Sequence, residues 1–172
     1  MITQGHIEVT WSQHTLESMT FRHRSIKDFD NGGADAYVWD DIDSTKIYWD
    51  LIGVDVNDSV DEKLFWDTDP WPHLNNKFIV IHKMRPGMIQ PLHGDLYARY
   101  SKNNNVTDVE SIQRVLIFLA DWQMGHTFHC NQQSFDGWSA GDWVSWSGTT
   151  KHIAANFGSS TRYTMQITGI QR

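Results

Sequence analysis

Cysteine is almost absent from the 172-residue sequence, which contains Cys130 and no other. A single cysteine excludes an intramolecular disulfide, which agrees with a reducing compartment. No stretch approaches the ~20 consecutive apolar residues that a membrane-spanning helix needs. Residues 1–10 also lack the basic start and apolar stretch of a signal peptide. We therefore expect a cytoplasmic protein without a membrane partner.

Clusters of positive charge are missing as well. Lys and Arg number 14 against 21 Asp and Glu, for a net charge of -7, and the basic residues are scattered along the chain. Surfaces that bind nucleic acid concentrate Lys and Arg because these residues neutralise phosphates. The composition therefore predicts no nucleic-acid partner and favours a small molecule, a peptide or a protein as the substrate.

Internal repeats, low-complexity tracts and linker-like stretches are also absent. A chain of 172 residues suits one compact domain, and its apolar share of 40% is ordinary for a globular protein. We predict a single domain over residues 1–172, with N-terminal helices and outer strands in 1–76 and a core of strands in 77–170. Nine tryptophans are available either to fill this core or to form the floor of a cleft.

Strand patterns dominate the second half of the chain. β-branched and apolar runs predict strands at 77–83, 114–122 and 125–130. A turn at 140–142 leads into an alternating strand, and residues 162–168 alternate cleanly. Many short strands separated by turn signals are typical of a β-sandwich or a β-barrel.

The first part of the chain is mixed. We predict a short strand at 7–11 and short helices at 44–52 and 60–66. The spacing of Thr107 and Glu110 is that of a capping box, which predicts a further short helix. Helices gathered near the front of a β-rich chain are expected to pack on one outer face of the barrel.

The segment QPLHGDLYAR places His93 and Asp95 two residues apart. On an extended backbone, side chains two positions apart point to the same side. The pair is either part of a metal site or a polar turn around Gly94. His152, at the start of another apolar stretch, offers a third donor. Two histidines and one carboxylate can bind one face of an octahedral metal, as in the facial triad of non-haem iron.

Arg162 opens the last predicted strand and shares one strand face with Thr164. An arginine that points into a small barrel is costly unless it meets an anion. Fe(II) with two neutral histidines and one aspartate carries +1, and a dicarboxylate such as 2-oxoglutarate brings -2. Arg162 supplies the missing positive charge, and the Thr164 hydroxyl can bind the same distal carboxylate. A salt bridge at a strand end remains the structural alternative for Arg162.

The ordered set H93-G-D95, H152 and R162-Y-T164 resembles the pattern of the Fe(II)/2-oxoglutarate-dependent oxygenases. RPGMIQPLHGD resembles the approach to the metal in the hydroxylases of this superfamily. WSAGDWVSW and KHIAANFGSSTRYTMQITG are similar to the later core strands of small phage and bacterial members with a prolyl-hydroxylase-like core. The resemblance covers roughly residues 77–170.

The resemblance implies a mainly β fold with flanking helices, the double-stranded β-helix, a squashed jelly-roll or cupin-like barrel of two facing sheets. It implies His93, Asp95 and His152 as catalytic metal ligands for Fe(II), with Arg162 and Thr164 binding 2-oxoglutarate. It also implies hydroxylation with O2, which releases succinate and CO2. Retention of the aspartate favours hydroxylation, since halogenating relatives have a small residue there.

Substrate contacts are expected from Tyr97 and Arg99, which follow the H-G-D segment, and from Arg85. The substrate is expected to be an amino acid or a residue of a peptide or protein. Two other functions remain open. One is a cupin-like metalloenzyme without 2-oxoglutarate, which would not need Arg162 and Thr164. The other is a non-catalytic β-sandwich binding module rich in tryptophan, which would bind no iron.

Overall fold

Two antiparallel sheets face each other in the computed structural model, which describes residues 1–25 and 52–171. The order in the larger sheet is β1-β9-β6-β11-β4-β3-β2, and in the smaller sheet it is β5-β10-β7-β8. The strands are β1 Thr3–His6, β2 Arg22–Ser25, β3 Gly53–Asn57, β4 Leu74–Met84, β5 Ile89–His93, β6 Ile112–Phe118, β7 His126–Cys130, β8 Gln133–Phe135, β9 Asp142–Ser147, β10 His152–Asn156 and β11 Arg162–Gln171.

This arrangement is the predicted mainly β fold with flanking helices, a double-stranded β-helix. The helices in the described ranges are α1 (Gln13–Ser18), α2 (Ala98–Asn104) and two single 3₁₀ turns, Glu62–Leu64 and Val109–Ser111. None of them is long and apolar enough to cross a membrane. The helix predicted at 44–52 falls on the undescribed stretch, apart from Ile52.

The last strand shows how the sequence separates the two faces of the larger sheet. Tyr163, Met165 and Ile167 are buried on its outer face. Arg162, Thr164, Gln166 and Thr168 face the space between the sheets, where they line a cavity. The alternation expected for this strand is therefore confirmed.

An apolar layer covers the outer face of the larger sheet. Leu16 of α1 packs there with Trp11 and Phe65, and all three are buried. The indole Nε1 of Trp11 donates to the carbonyl oxygen of Leu119 at 2.7 Å. The prediction that helices pack on an outer face is thus confirmed for α1. Its first turn begins at Ser12, whose hydroxyl accepts from the backbone N–H of Thr15.

A second apolar cluster fills part of the space between the sheets. Phe118 and Trp146 from the larger sheet contact Phe128 from the smaller one, with ring centroids 6.0 and 5.8 Å from that of Phe128. Cys130 is fully buried in the same cluster, as its small apolar side chain suggests. This cluster closes one part of the barrel and leaves the remainder open for a site.

Three local predictions are wrong in their boundaries. No strand forms at 7–11; the strand lies just before it, at Thr3–His6, where it pairs with β9. The helix at 60–66 is only the 3₁₀ turn Glu62–Leu64. The predicted capping box after residue 107 is replaced by a cap at Asp108, whose carboxylate accepts from the Glu110 N–H at 3.0 Å.

Candidate metal centre

Two neighbouring strands bring the candidate ligands together. His93 ends β5, His152 begins the antiparallel strand β10, and the two are register partners. Their ring centroids are 4.3 Å apart. Asp95 follows β5 by two residues, and its Oδ2 lies 3.5 Å from Nε2 of His152. One donor atom from each of the three residues lies within 4.8 Å of the others.

Backbone carbonyls orient both imidazoles. Nδ1 of His93 lies 2.7 Å from the carbonyl oxygen of Pro91, and Nδ1 of His152 lies 3.0 Å from that of Thr150. An Nδ1–H donated to a carbonyl leaves the Nε2 lone pair free for a metal. Burial, together with the adjacent His93, lowers the pKa of His152 to about 3, so this imidazole is neutral. The donor set therefore fits a divalent metal such as Fe(II).

Gly94 lets the H-G-D segment approach the opposite strand connection. A Cβ at this position would lie 2.5 Å from the carbonyl oxygen of Thr149. Any larger residue would push the segment away from the start of β10, where His152 lies. The glycine between the two candidate ligands is thus required by close backbone packing.

Arg114 forms an ion pair with Asp95 that the sequence did not reveal. Its Nη1 donates to Oδ2 of Asp95, and the Arg114 and Asp95 side chains are 10% and 14% exposed. Burial alone would raise the pKa of Asp95, but the Arg114 guanidinium together with His152, His93 and His82 outweighs it and holds that pKa below its usual value. In the sequence, Arg114 is only the first residue of the strand predicted at 114–122. Its position as the third residue of β6, facing the cavity, was visible only from the register.

Arg162 is buried without a carboxylate partner among the residues that the structure describes. Only 3% of the residue is exposed, and its Nη1 donates to Sδ of Met84 at 3.1 Å. Its Nε and Nη2 find no hydrogen-bond partner within the described ranges. Its Cζ lies 5.4, 6.0 and 5.9 Å from the ring centroids of Trp138, Phe118 and Phe128.

An aromatic enclosure holds this guanidinium but cannot satisfy its donors. Burial lowers the pKa of Arg162 to about 9, which still leaves it charged at neutral pH. A buried charge of this kind is costly unless an anion joins it. Thr164 lies two residues further along the same face of β11 and also lines the cavity. The pair is therefore placed to bind a carboxylate.

One cavity of about 690 Å³ between the sheets is lined by all five predicted site residues, His93, Asp95, His152, Arg162 and Thr164. Of the expected substrate residues, Tyr97 and Arg99 also line it, Tyr97 buried and Arg99 exposed. Arg85 does not reach the cavity. Its Nε instead donates to Oδ2 of Asp55 on β3 at 2.8 Å, just beyond the end of β4. Further lining residues include Arg22, Arg24, Lys77, Phe78, Arg114, Trp146, Gln166 and Thr168.

His126, His129 and His82 do not belong to this cluster of candidate ligands. His126 and His129 occupy opposite faces of β7, so His126 is buried against Ser160 while His129 is exposed. His82 lines the cavity, and burial, aided by Arg114, lowers its pKa to about 3. Within the described residues, the only cluster of potential metal ligands is His93, Asp95 and His152.

No known family model matches this sequence, and no curated protein matches it either. Solved structures are similar in fold. A predicted oxalate decarboxylase from Thermotoga maritima has 14% identity, covers 69% of this chain and 81% of its own, and gives a TM-score of 0.44. A Pseudomonas putida prolyl-4-hydroxylase has 17% identity, with 58% and 53% covered and a TM-score of 0.44.

A Burkholderia pseudomallei oxidoreductase of the 2OG-Fe(II) oxygenase family has 15% identity. It covers 55% of this chain and 42% of its own, with a TM-score of 0.41. The similar structures thus include both cupin-type decarboxylases and 2-oxoglutarate oxygenases. At such low identities and TM-scores, the function has to be argued from the site itself.

Proposed function

We propose that the protein is an Fe(II)- and 2-oxoglutarate-dependent dioxygenase that hydroxylates a C–H bond of an amino acid or of a peptide or protein residue. The observation that carries this proposal is the pairing, in one cavity, of a two-histidine, one-aspartate cluster with a buried arginine that has no carboxylate partner among the described residues. A metal cluster alone would suit many metalloenzymes. Arg162 adds the requirement for a negatively charged ligand.

The metal ligands would be Nε2 of His93, Nε2 of His152 and a carboxylate oxygen of Asp95. Bound iron and 2-oxoglutarate supply the oxidation, in which O2 is consumed and succinate and CO2 leave as the C–H bond is hydroxylated. These three side chains would hold the metal and would leave coordination positions for exchangeable ligands.

Arg162 and Thr164 would bind the distal carboxylate of 2-oxoglutarate. The two unpartnered nitrogens of Arg162 match a bidentate contact with a carboxylate. Phe118, Phe128 and Trp138 surround the guanidinium, so the contact forms away from water, where it is stronger than in bulk solvent. These residues hold the cosubstrate in one orientation and exclude water from its distal end.

The test is a spectroscopic titration without oxygen. Fe(II) and then 2-oxoglutarate are added to metal-free protein, and we expect a weak visible charge-transfer band. His152→Ala should abolish the band because a metal ligand is lost. Arg162→Ala should shift band formation to higher 2-oxoglutarate concentration. His129→Ala, an exposed histidine outside the cavity, is the matched control and should behave as the parent.

Iron binding without a band in the parent would refute the role of 2-oxoglutarate and favour the cupin-like alternative. Failure to bind iron at all would favour a non-catalytic domain in which H-G-D is a polar turn. If the band appears, succinate release in air against candidate amino acids and peptides identifies the substrate.

A further inference from the structure

Four inward-facing residues form a row across the floor of the cavity. Trp146 on β9 is the register partner of Arg114 on β6, and Arg114 is the partner of Thr168 on β11. Thr168 in turn faces Phe78 on β4. All four line the cavity. The row lies at the level of the metal cluster, because Arg114 pairs with Asp95 and the Trp146 ring centroid is 5.0 Å from that of His152.

This row is distinct from the Arg162 site. Thr168 and Arg162 are six residues apart on β11, which separates their Cα atoms by roughly 20 Å along an extended strand. Arg162 lies against Phe118, Phe128 and Trp138. Thr168 and Phe78 lie near the other end of β11 and β4, where the Tyr100 hydroxyl donates to the carbonyl oxygen of Asn76. A ligand bound at the metal can therefore contact Arg162 on one side and a second ligand can contact the row on the other.

The row carries hydrogen-bond donors that have no partner. Nε of Arg114, Nε1 of Trp146 and Oγ1 of Thr168 are buried and unpaired within the described residues. The hydroxyl of Tyr97 is also buried and unpaired among these residues, and the centroid of the Tyr97 ring lies 5.1 Å from Cζ of Arg114. Arginine and indole N–H groups can only donate, and the two hydroxyls can donate as well. Buried unpaired donors are costly, so this surface is built to receive an acceptor-rich group.

The charges of the cavity-lining residues indicate whether that acceptor-rich group is an anion. The buried ionised residues that line the cavity, among those described, are Arg114 and Arg162, and the half-buried Asp95 lies beside them. Together they carry +1, and Fe(II) raises the sum to +3. The two charges of 2-oxoglutarate reduce it to +1. One further negative charge, such as that of a carboxylate, would neutralise this inner set. The outer lining residues Arg22, Arg24, Lys77 and Arg99, against Asp58, add positive charge and favour the same sign of ligand.

We propose that the substrate itself carries a carboxylate, bound by Arg114, Tyr97, Thr168 and Trp146 beside the carbon that is oxidised. This inference rests on the proposed function and specifies its substrate class. Arg114 acts both as the partner of Asp95 and as the anchor of the substrate. The ring of Tyr97 packs against the guanidinium, and its hydroxyl adds a donor next to it.

Acetate is the probe for the test, with acetamide as the neutral control of the same size. Both are titrated into anaerobic protein loaded with Fe(II) and 2-oxoglutarate, at constant ionic strength. We expect acetate, but not acetamide, to perturb the charge-transfer band and to raise the Tm. Tyr97→Phe and Thr168→Val should each weaken acetate binding by roughly tenfold, since each removes one hydrogen bond to a charged group. Tyr163→Phe, on the outer face of β11, is the matched control.

Several results would overturn the inference. Acetate and acetamide could have equal effects. Acetate could bind with unchanged affinity in Tyr97→Phe and Thr168→Val, which would indicate direct coordination to iron. The two variants could weaken 2-oxoglutarate binding instead, which would assign the row to the cosubstrate. The band in the parent reports separately on the proposed function, so its absence is distinguishable from a failure of the carboxylate site.

A free amino acid and an acidic peptide both carry a carboxylate. L-leucine and acetyl-Gly-Asp-Gly-amide are therefore compared as competitors of acetate. Tighter binding of either one supports the site and identifies the source of the carboxylate. If neither competes with acetate, the row does not bind the substrate.

Discussion

Replacement of Arg162 by methionine should stabilise the ligand-free protein while abolishing its affinity for 2-oxoglutarate. Only 3% of the Arg162 residue is exposed, and two of its guanidinium nitrogens have no hydrogen-bond partner among the described residues. Each unsatisfied buried donor costs about 1–3 kcal/mol. Methionine is unbranched and adaptable, so it can fill the same space between Phe118, Phe128 and Trp138.

The opposing term is the loss of cation–π contacts. The three rings lie 5.4–6.0 Å from Cζ of Arg162, a range in which each contact contributes about 0.5–2 kcal/mol, although methionine recovers part of this through sulfur–aromatic contacts. We expect a net gain in the free energy of unfolding of about 2 kcal/mol. For a domain of this size, that gain corresponds to a Tm increase of roughly 4–8 °C.

The assay is urea unfolding of metal-free protein, followed by tryptophan fluorescence, for the parent and for Arg162→Met. Arg99→Met, an exposed arginine at the cavity, is the control and should change stability by less than about 0.5 kcal/mol. The measurement is repeated without oxygen in Fe(II) and 2-oxoglutarate, where the parent should gain more stability than Arg162→Met. Destabilisation of the ligand-free protein by Arg162→Met would refute the reasoning and make Arg162 a structural residue of the aromatic core.

Three further substitutions test which residues contribute to stability and which to ligand binding. Asp95→Asn should lower the free energy of unfolding by about 3 kcal/mol, because it leaves the buried Arg114 without its counter-charge. Urea unfolding measures this change. An unchanged free energy of unfolding would show that the ion pair is not maintained in solution. His82 is neutral in the fold with a pKa of about 3 against 6.5 when unfolded, so its contribution to stability is lost as the pH falls below 6.5, by up to about 1.4 kcal/mol per pH unit. Unfolding of His82→Gln between pH 7 and pH 5 should therefore depend less on pH than that of the parent, and identical slopes would contradict the assignment. Leu16→Ala should cost about 2–4 kcal/mol, since Leu16 is buried in the outer apolar layer, yet it should leave the affinity for 2-oxoglutarate unchanged in the anaerobic titration.

The fold was predictable because its signals are local and repeated. The alternation of Arg162, Thr164 and Gln166 with Tyr163 and Met165 follows from strand geometry alone. The proximity of His93, Asp95 and His152 was predictable for a different reason, since the spacing of the H-x-D pair and the distant histidine resembles a known pattern. Neither inference needed the register between strands.

The missed features all depend on that register. Arg114 opens a predicted strand, where an exposed arginine is the usual case, and its burial follows only from its position between Trp146 and Thr168 on the neighbouring strands. Arg85 is close in sequence to the candidate site, but Asp55 on β3 binds it outside the cavity. Pairings between residues distant in sequence decide both cases, and no local pattern encodes them.

The two faces of β11 show how the fold can support a costly site. The inner face carries Arg162, Thr164 and Thr168, whose buried polar groups include donors that await a ligand. The outer face carries Tyr163 and Met165, buried by the layer that contains α1. Apolar burial outside the larger sheet stabilises the strand at about 25 cal/mol per Å² and offsets the unsatisfied donors inside it. Substitutions on the outer face should therefore lower stability and spare ligand binding, whereas substitutions on the inner face should weaken ligand binding without lowering stability.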